Sequence, residues 1–184
     1  MHTTAWDANV LGAFGLALAD RLAAAAEPAG GVTAAEALVA LNGLAAGGSI
    51  DALARVVGLS HSGTVRLVDR LARDGLVERR RGADQRSAAL VLTPAGRRTA
   101  RSVLTRRNAE MHSVIGLLTA GEQRGLLAAA ERVLRELGVD PDAEQRRCRL
   151  CDLEACARNR GRCPVVAGRT GRRRGASSSV HLVE

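Results

Sequence analysis

Large apolar residues at Trp6, Val10, Phe14, Leu18 and Leu22 recur every fourth position, which lays one apolar stripe along a helix. Pro28 and the Gly30-Gly31 pair stop it. Thr33, followed three residues later by Glu36, has the pattern of a capping box that opens a second helix carrying Leu38, Leu41 and Leu44. That helix is expected to end near Gly47-Gly48. Ser49 can then cap a short helix with Asp51 in its first turn and Ile50, Leu53, Val56 and Val57 along it. Gly58-Leu59-Ser60 is a tight turn, after which Val65, Leu67, Val68 and Leu71 line the inner side of another helix closed by Asp74-Gly75.

The period then changes from helical to alternating. Residues 76–79 and 88–92 read as two strands around the polar run 81–87, a hairpin with a basic tip. Thr93-Pro94 supplies a hydroxyl cap and a first-turn proline to a long helix whose Ala100, Leu104, Met111, Ile115 and Leu118 share a face. Thr119 with Glu122 is a second capping-box pattern, opening a helix with Leu126, Leu127, Ala130, Val133, Leu134 and Leu137. Gly138 and Pro141 are expected to end it. From Ala143 onward the apolar periodicity fades.

At 184 residues the chain holds one main domain with an appendage. Trp6 and Phe14 are its only aromatic residues, so the core must be built of Ala, Leu and Val. That favours closely packed helices and a mainly α fold with a small β-hairpin. The net charge is +8 and every basic residue is arginine. The charge is unevenly placed: residues 55–107 carry thirteen arginines against Asp69, Asp74, Glu78 and Asp84, and residues 146–184 carry ten against three acids. Two basic blocks separated by acidic helices imply a polyanion partner, nucleic acid ahead of an anionic membrane. The N-terminus lacks a basic lead, and Asp7, Asp20 and Arg21 interrupt its apolar stretch, so neither a signal peptide nor a membrane span is expected. The expected location is the cytoplasm, where thiols stay reduced.

The order of elements resembles the multiple antibiotic resistance regulator (MarR) family over roughly residues 5–137. The most specific stretch is LARVVGLSHSGTVRLVDRLARDGLVERRRGADQRSAALVLTPAG, residues 53–96. It has a recognition helix ending in a D-R-L run, a GLV entry to the wing, an Asp-x-Arg at the wing tip and a closing LT-x-x-G. The resemblance implies a winged helix-turn-helix fold, a DNA-reading lobe at 49–96 and dimerisation helices at 5–27 and 97–137. It also implies a homodimer on a palindromic operator, acting as a transcriptional regulator and in the first instance a repressor. A small effector ligand is implied between the dimer helices and the lobe, shifting the reading helices when it binds. Arg86 would be the wing-tip arginine and Asp84 the acid that orients it.

The residues support the same picture without the family. A helix-turn-helix enters the major groove with the N-terminal residues of its second helix, so base readers must be small, polar or planar and sit in its first two turns. Here they are His61, Ser62, Gly63, Thr64 and Arg66. Arg66 can fork onto guanine, Ser62 or Thr64 can bond a base edge or phosphate, and Gly63 allows close approach. Arg79, Arg80, Arg81 and Arg86 lie on or beside the hairpin turn, where a wing reaches phosphates or the adjacent minor groove. The apolar faces at 6–22, 111–118 and 126–137 exceed what the short lobe can cover, which implies burial against a partner.

Cys148, Cys151, Cys156 and Cys163 form C-x2-C-x4-C-x6-C followed by Pro164, within a segment at 143–166 that departs from the family pattern. Four close thiols in a reducing compartment ask for a metal, with a structural zinc as the first reading. An iron-sulfur cluster, echoed by the Cys-Pro ending, and redox-active or disulfide-forming thiols remain open. Residues 167–184 are expected to be disordered. Competing functions are a thiol or metal redox protein built on the cysteines, and a winged-helix scaffold that binds protein instead of DNA. Against the first, His2, His61, His112 and His181 are scattered and no catalytic motif surrounds the C-x2-C, so an enzyme is not expected. Against the second, a scaffold has no need to expose the charge of 55–107.

Overall fold

The computed structural model describes residues 4–81, 88–137, 141–156 and 163–166. Helix α1 (Ala5–Ala25) opens on a capping box of Thr4 and Asp7 and passes through a 3-10 turn at Glu27–Ala29 into α2 (Val32–Leu41). Then come α3 (Ile50–Val57), α4 (His61–Arg73), the antiparallel strands β1 (Val77–Arg81) and β2 (Ala88–Leu92), the long α5 (Pro94–Ile115), α6 (Ala120–Leu137) and α7 (Pro141–Arg147). This is the mainly helical fold with a small β-hairpin that the pattern predicts and the winged helix-turn-helix that the resemblance implies; Ser49, Ser60 and Thr93 cap α3, α4 and α5, each accepting from the amide three residues on.

The core is alanine-rich. Ala34, Ala35, Ala37 and Ala40 of α2 are buried with Leu53 and Val56 of α3, Leu67, Val68 and Leu71 of α4, and Ala100 and Val103 of α5. Methyl-sized side chains let the helix axes approach closely, so a core almost without rings still packs. The wing is fastened at its base. Val77 pairs with Leu92 in register, the Leu90 amide donates to the Gly48 carbonyl at 2.9 Å, and the Thr93 amide donates to the Leu76 carbonyl at 3.1 Å.

Two local expectations fail, the first to a tertiary partner and the second to the start of a further helix. Glu36 does not close a capping box with Thr33: α2 starts at Val32, two residues earlier than that box requires, from Gly31 with no side-chain cap. Its carboxylate is buried and accepts from Arg149 Nε at 2.6 Å. Pro141 ends nothing, because α6 has already stopped at Leu137 and the proline opens α7, the first-turn position where a missing amide costs no hydrogen bond.

Helix α1 packs along α5, with Arg21 Nη1 3.0 Å from Glu110 Oε2. By length and a mean hydropathy of 1.2, α1 alone among the described residues has the size and composition of a membrane-crossing helix. Asp7, Asp20 and Arg21 interrupt its apolar stretch, and one side of it contacts α5. The outward sides of α1 and α6 are open: Trp6 is 73% exposed and Leu117, in the turn before α6, 83%, and no residue of α6 is buried.

Candidate nucleic-acid interface

The turn between α3 and α4 is set by Gly58, whose φ of 71° is left-handed and suits a residue without a Cβ. Ser60 then caps α4, accepting from the Gly63 amide at 3.1 Å. Leu67, Val68 and Leu71 fix the inner face of α4 in the core, which turns His61, Ser62 and Arg66 to the outside. Gly63 is half-buried between them and the Ser60 hydroxyl. His61 Nδ1 lies 2.6 Å from Asp51 Oδ1 of α3, so the ring is tied to the first helix of the motif.

Thr64 is corrected. It is 0% exposed and its hydroxyl donates to the Ser60 carbonyl at 3.0 Å, so it supports the first turn and has no side-chain surface for a base. The signal was in the sequence: residue 64 stands three, four and seven positions before Leu67, Val68 and Leu71, on the inward stripe. The same arithmetic finds two residues that the sequence pattern alone did not bring forward. Arg70 and Arg73 follow Arg66 by four and seven positions, are exposed, and line a shallow groove with Arg66, Gly63 and Thr33.

On the wing, only Val77 of β1 is buried. Arg79 reaches back to α4, its Nη2 2.8 Å from Asp69 Oδ1, and Arg80 donates through Nε and Nη2 to Glu78 Oε2 at 3.1 and 2.9 Å. These exposed pairs contribute little to stability, on the order of 0.2–1 kcal/mol each, but the first holds a guanidinium against α4 and the second fixes one on the outer face of β1. Arg81 is exposed at the end of the strand. Asp84 and Arg86 lie outside the described residues.

The four cysteines are brought together. Cys148 and Cys163 are buried with Val165, and Cys151, Cys156, Leu44 and Leu134 pack around them; no disulfide joins them. A hydrogen bond with Cys148 and, more weakly, the Arg107 guanidinium hold the Cys151 thiol below its ordinary value against the opposing effects of burial and of Cys156 and Cys163. As they stand, no three Cys, His, Asp or Glu side chains among the described residues surround a common ion position. The tail at 167–184 lies outside the described residues. A cavity of about 470 Å³ opens beside the cluster, with Arg97, Arg101 and Asn108 of α5 on one wall and Cys151, Asp152 and Glu154 on another.

Residues 30–87 match the model of the MarR family. Among solved structures, the Mycobacterium tuberculosis MarR family protein RV2887 is 25% identical over 68% of this chain and 91% of its own, with a TM-score of 0.56. RV1404 from the same organism is 25% identical over 71% and 91%, with a TM-score of 0.61. CouR from Rhodococcus jostii RHA1, seen bound to p-coumaroyl-CoA, is 25% identical over 67% and 88%, with a TM-score of 0.54. No curated protein matches the chain. The capped helix-turn-helix, the wing fastened at Thr93 and the matched segment agree: the chain has the winged helix-turn-helix fold of the MarR-family transcriptional regulators it is similar to, extended by a C-terminal four-cysteine segment.

Proposed function

We propose that this protein regulates transcription in the cytoplasm by binding a palindromic double-stranded DNA operator as a homodimer, in the first instance as a repressor. The observation that carries the reading is the outer face of α4: Arg66, Arg70 and Arg73 stand in one exposed row, and Asp69 of the same helix pairs with Arg79 of β1. A helix with that face fits a major groove end-on, its first turn toward the base edges and its later arginines toward phosphates. The wing arginines then meet the neighbouring backbone or minor groove.

The open faces of α1 and α6 supply the second copy, because two reading helices related by a two-fold axis match half-sites about 10 bp apart. The cavity between α2, α5 and the cysteine segment suits a small organic effector whose anionic group faces Arg97 and Arg101. A ligand is seen in the related CouR, and the Arg97 guanidinium already donates to the Leu92 carbonyl of the wing at 2.7 Å. An anion drawing on Arg97 would therefore compete with a contact that fastens the wing.

Selection of bound fragments from genomic DNA, followed by footprinting, tests the reading. Two protected half-sites one helical turn apart are expected, and the absence of any preferred duplex at low salt would sink it. On the selected operator, Arg66→Ala is expected to lower discrimination against unrelated DNA by roughly 10- to 100-fold, the 1–3 kcal/mol of a bidentate base contact. Arg81→Ala should weaken operator and unrelated DNA alike and reduce the salt slope by about one. Equal loss of discrimination in both variants would contradict this division between helix and wing.

A further inference from the structure

The cysteine segment is fastened to the reading lobe and does not trail from it. Helix α7 packs on α3, and the Arg146 side chain lies over Gly58, where a Cβ would come within 3.1 Å of its Cδ. Arg149 Nε meets the buried Glu36 carboxylate of α2 at 2.6 Å, and its Nη1 donates to the Arg146 carbonyl. Leu150 packs on the main core, and Leu153 covers Gly43 so closely that a Cβ there would lie 2.5 Å from its Cδ1. Between these anchors the four thiols share one apolar pocket with Leu44, from the α2–α3 connection, and Leu134 of α6. Whatever sets the shape of the thiol cluster therefore bears on the helix-turn-helix from behind, and on the cavity wall formed by Cys151, Asp152 and Glu154.

We propose that Cys148, Cys151, Cys156 and Cys163 bind one zinc ion as four thiolates, and that the zinc-bound segment braces α2, α3 and the helix-turn-helix turn in the DNA-reading arrangement. Zinc takes four sulfur ligands in a tetrahedron at about 2.3 Å, and short loops closed in this way draw their order from the ion. On binding, each thiol gives up its proton to solvent and forms a sulfur-zinc bond with no change of oxidation state. The four sulfurs already share one pocket, and a tetrahedral site requires them to converge further than they do here, where no three surround a common ion position. A tetrathiolate site carries a net charge of minus two, and the Arg107 guanidinium, which already acts on Cys151, offsets part of it. The metal half of the proposal stands on the cysteines alone, whereas the bracing half rests on the DNA-binding reading above.

The test uses the full chain, purified without chelator from zinc-supplemented cells. Elemental analysis and an absorption spectrum should give close to one zinc per chain and no visible chromophore, and Cys163→Ser should lose the ion. Iron with labile sulfide and a brown colour overturns zinc, as does a chain with no metal. Withdrawal of zinc by a chelator under reducing conditions should weaken operator binding by roughly tenfold or more, within the usual range of coupling between sites. Restoring zinc should restore binding. Arg149→Ala should keep the zinc while losing part of its effect on DNA, because the segment then lacks its ion pair to α2 while Arg146, Leu150 and Leu153 still hold it. Unchanged operator affinity with and without zinc overturns the bracing. Failure to bind DNA at full zinc content overturns the regulator reading and the bracing with it, while that same zinc content upholds the metal site.

Discussion

Gly96→Ala should destabilise the protein by about 3 kcal/mol or more, among the larger effects of a single added methyl. Gly96 sits in the first turn of α5, where alanine would ordinarily be preferred over glycine by up to about 1 kcal/mol. Here a Cβ would lie 2.0 Å from the Leu76 carbonyl oxygen and 3.0 Å from its carbon. Both are backbone atoms, so no rotamer change relieves the overlap. That carbonyl also accepts the Thr93 amide at 3.1 Å, while the Thr93 hydroxyl donates to the Gly75 carbonyl at 2.7 Å and accepts from the Gly96 amide at 3.0 Å. Moving Leu76 aside therefore breaks the hinge that joins α4, the wing and α5. The steric term exceeds the propensity term several-fold and decides the sign. The measurement is the midpoint of thermal unfolding at fixed protein concentration, where a fall of roughly 6–12 °C is expected. A fall below about 2 °C would mean that the backbone can yield there, and that the closing LT-x-x-G has some other basis.

What the chain discloses on reading, and what it withholds, follows from the range of the interaction involved. Ser49, Thr93 and Gly58 act on backbone within four residues, and each does in the fold what its local pattern predicts; Ser60, read only as part of the turn, also caps α4. The Thr119 and Glu122 capping box likewise forms, with the carboxylate accepting from the Thr119 amide at 2.8 Å. Its pKa is lowered by the Thr119 side-chain and backbone hydrogen bonds, so any stabilisation it contributes is present above the ordinary carboxylate range and fades as pH falls through its lowered folded-state value. Thr33 and Glu36 show the same spacing, yet Glu36 goes to Arg149, 113 residues on. No window of sequence distinguishes a carboxylate destined for its own helix from one awaited by a distant guanidinium. Thr64 and Arg70 were legible in principle, because helical phase alone sends the first inward and the second outward. The docking of the cysteine segment was not, since its anchors are single residues scattered over α2, α3 and the main core.

Leu117→Asp should leave each protomer folded and abolish the pair. Leu117 is 83% exposed in the single chain, so the aspartate costs the protomer little. It lies beside Phe14, Val114, Leu118 and Leu126 in a nearly apolar depression where α1, the end of α5 and α6 come together. Closed over by a second copy, that depression would bury an unpaired carboxylate, at a cost of several kcal/mol. Sedimentation should therefore show a dimer for the parent chain and a monomer for the variant. Emission from Trp6, itself 73% exposed on the same open side of α1, should shift to the red when the partner is lost. The effect on the operator is larger than any single arginine can give. Two linked reading helices hold a palindrome with an avidity that exceeds one helix by roughly 100- to 10,000-fold, and a monomer forfeits that factor while keeping every α4 contact to its half-site. The salt slope should fall by about half, because half the phosphate contacts are gone. If the variant is monomeric and yet binds the full operator within a few-fold of the parent, α4 is reading DNA without its two-fold partner and the half-site geometry must be abandoned.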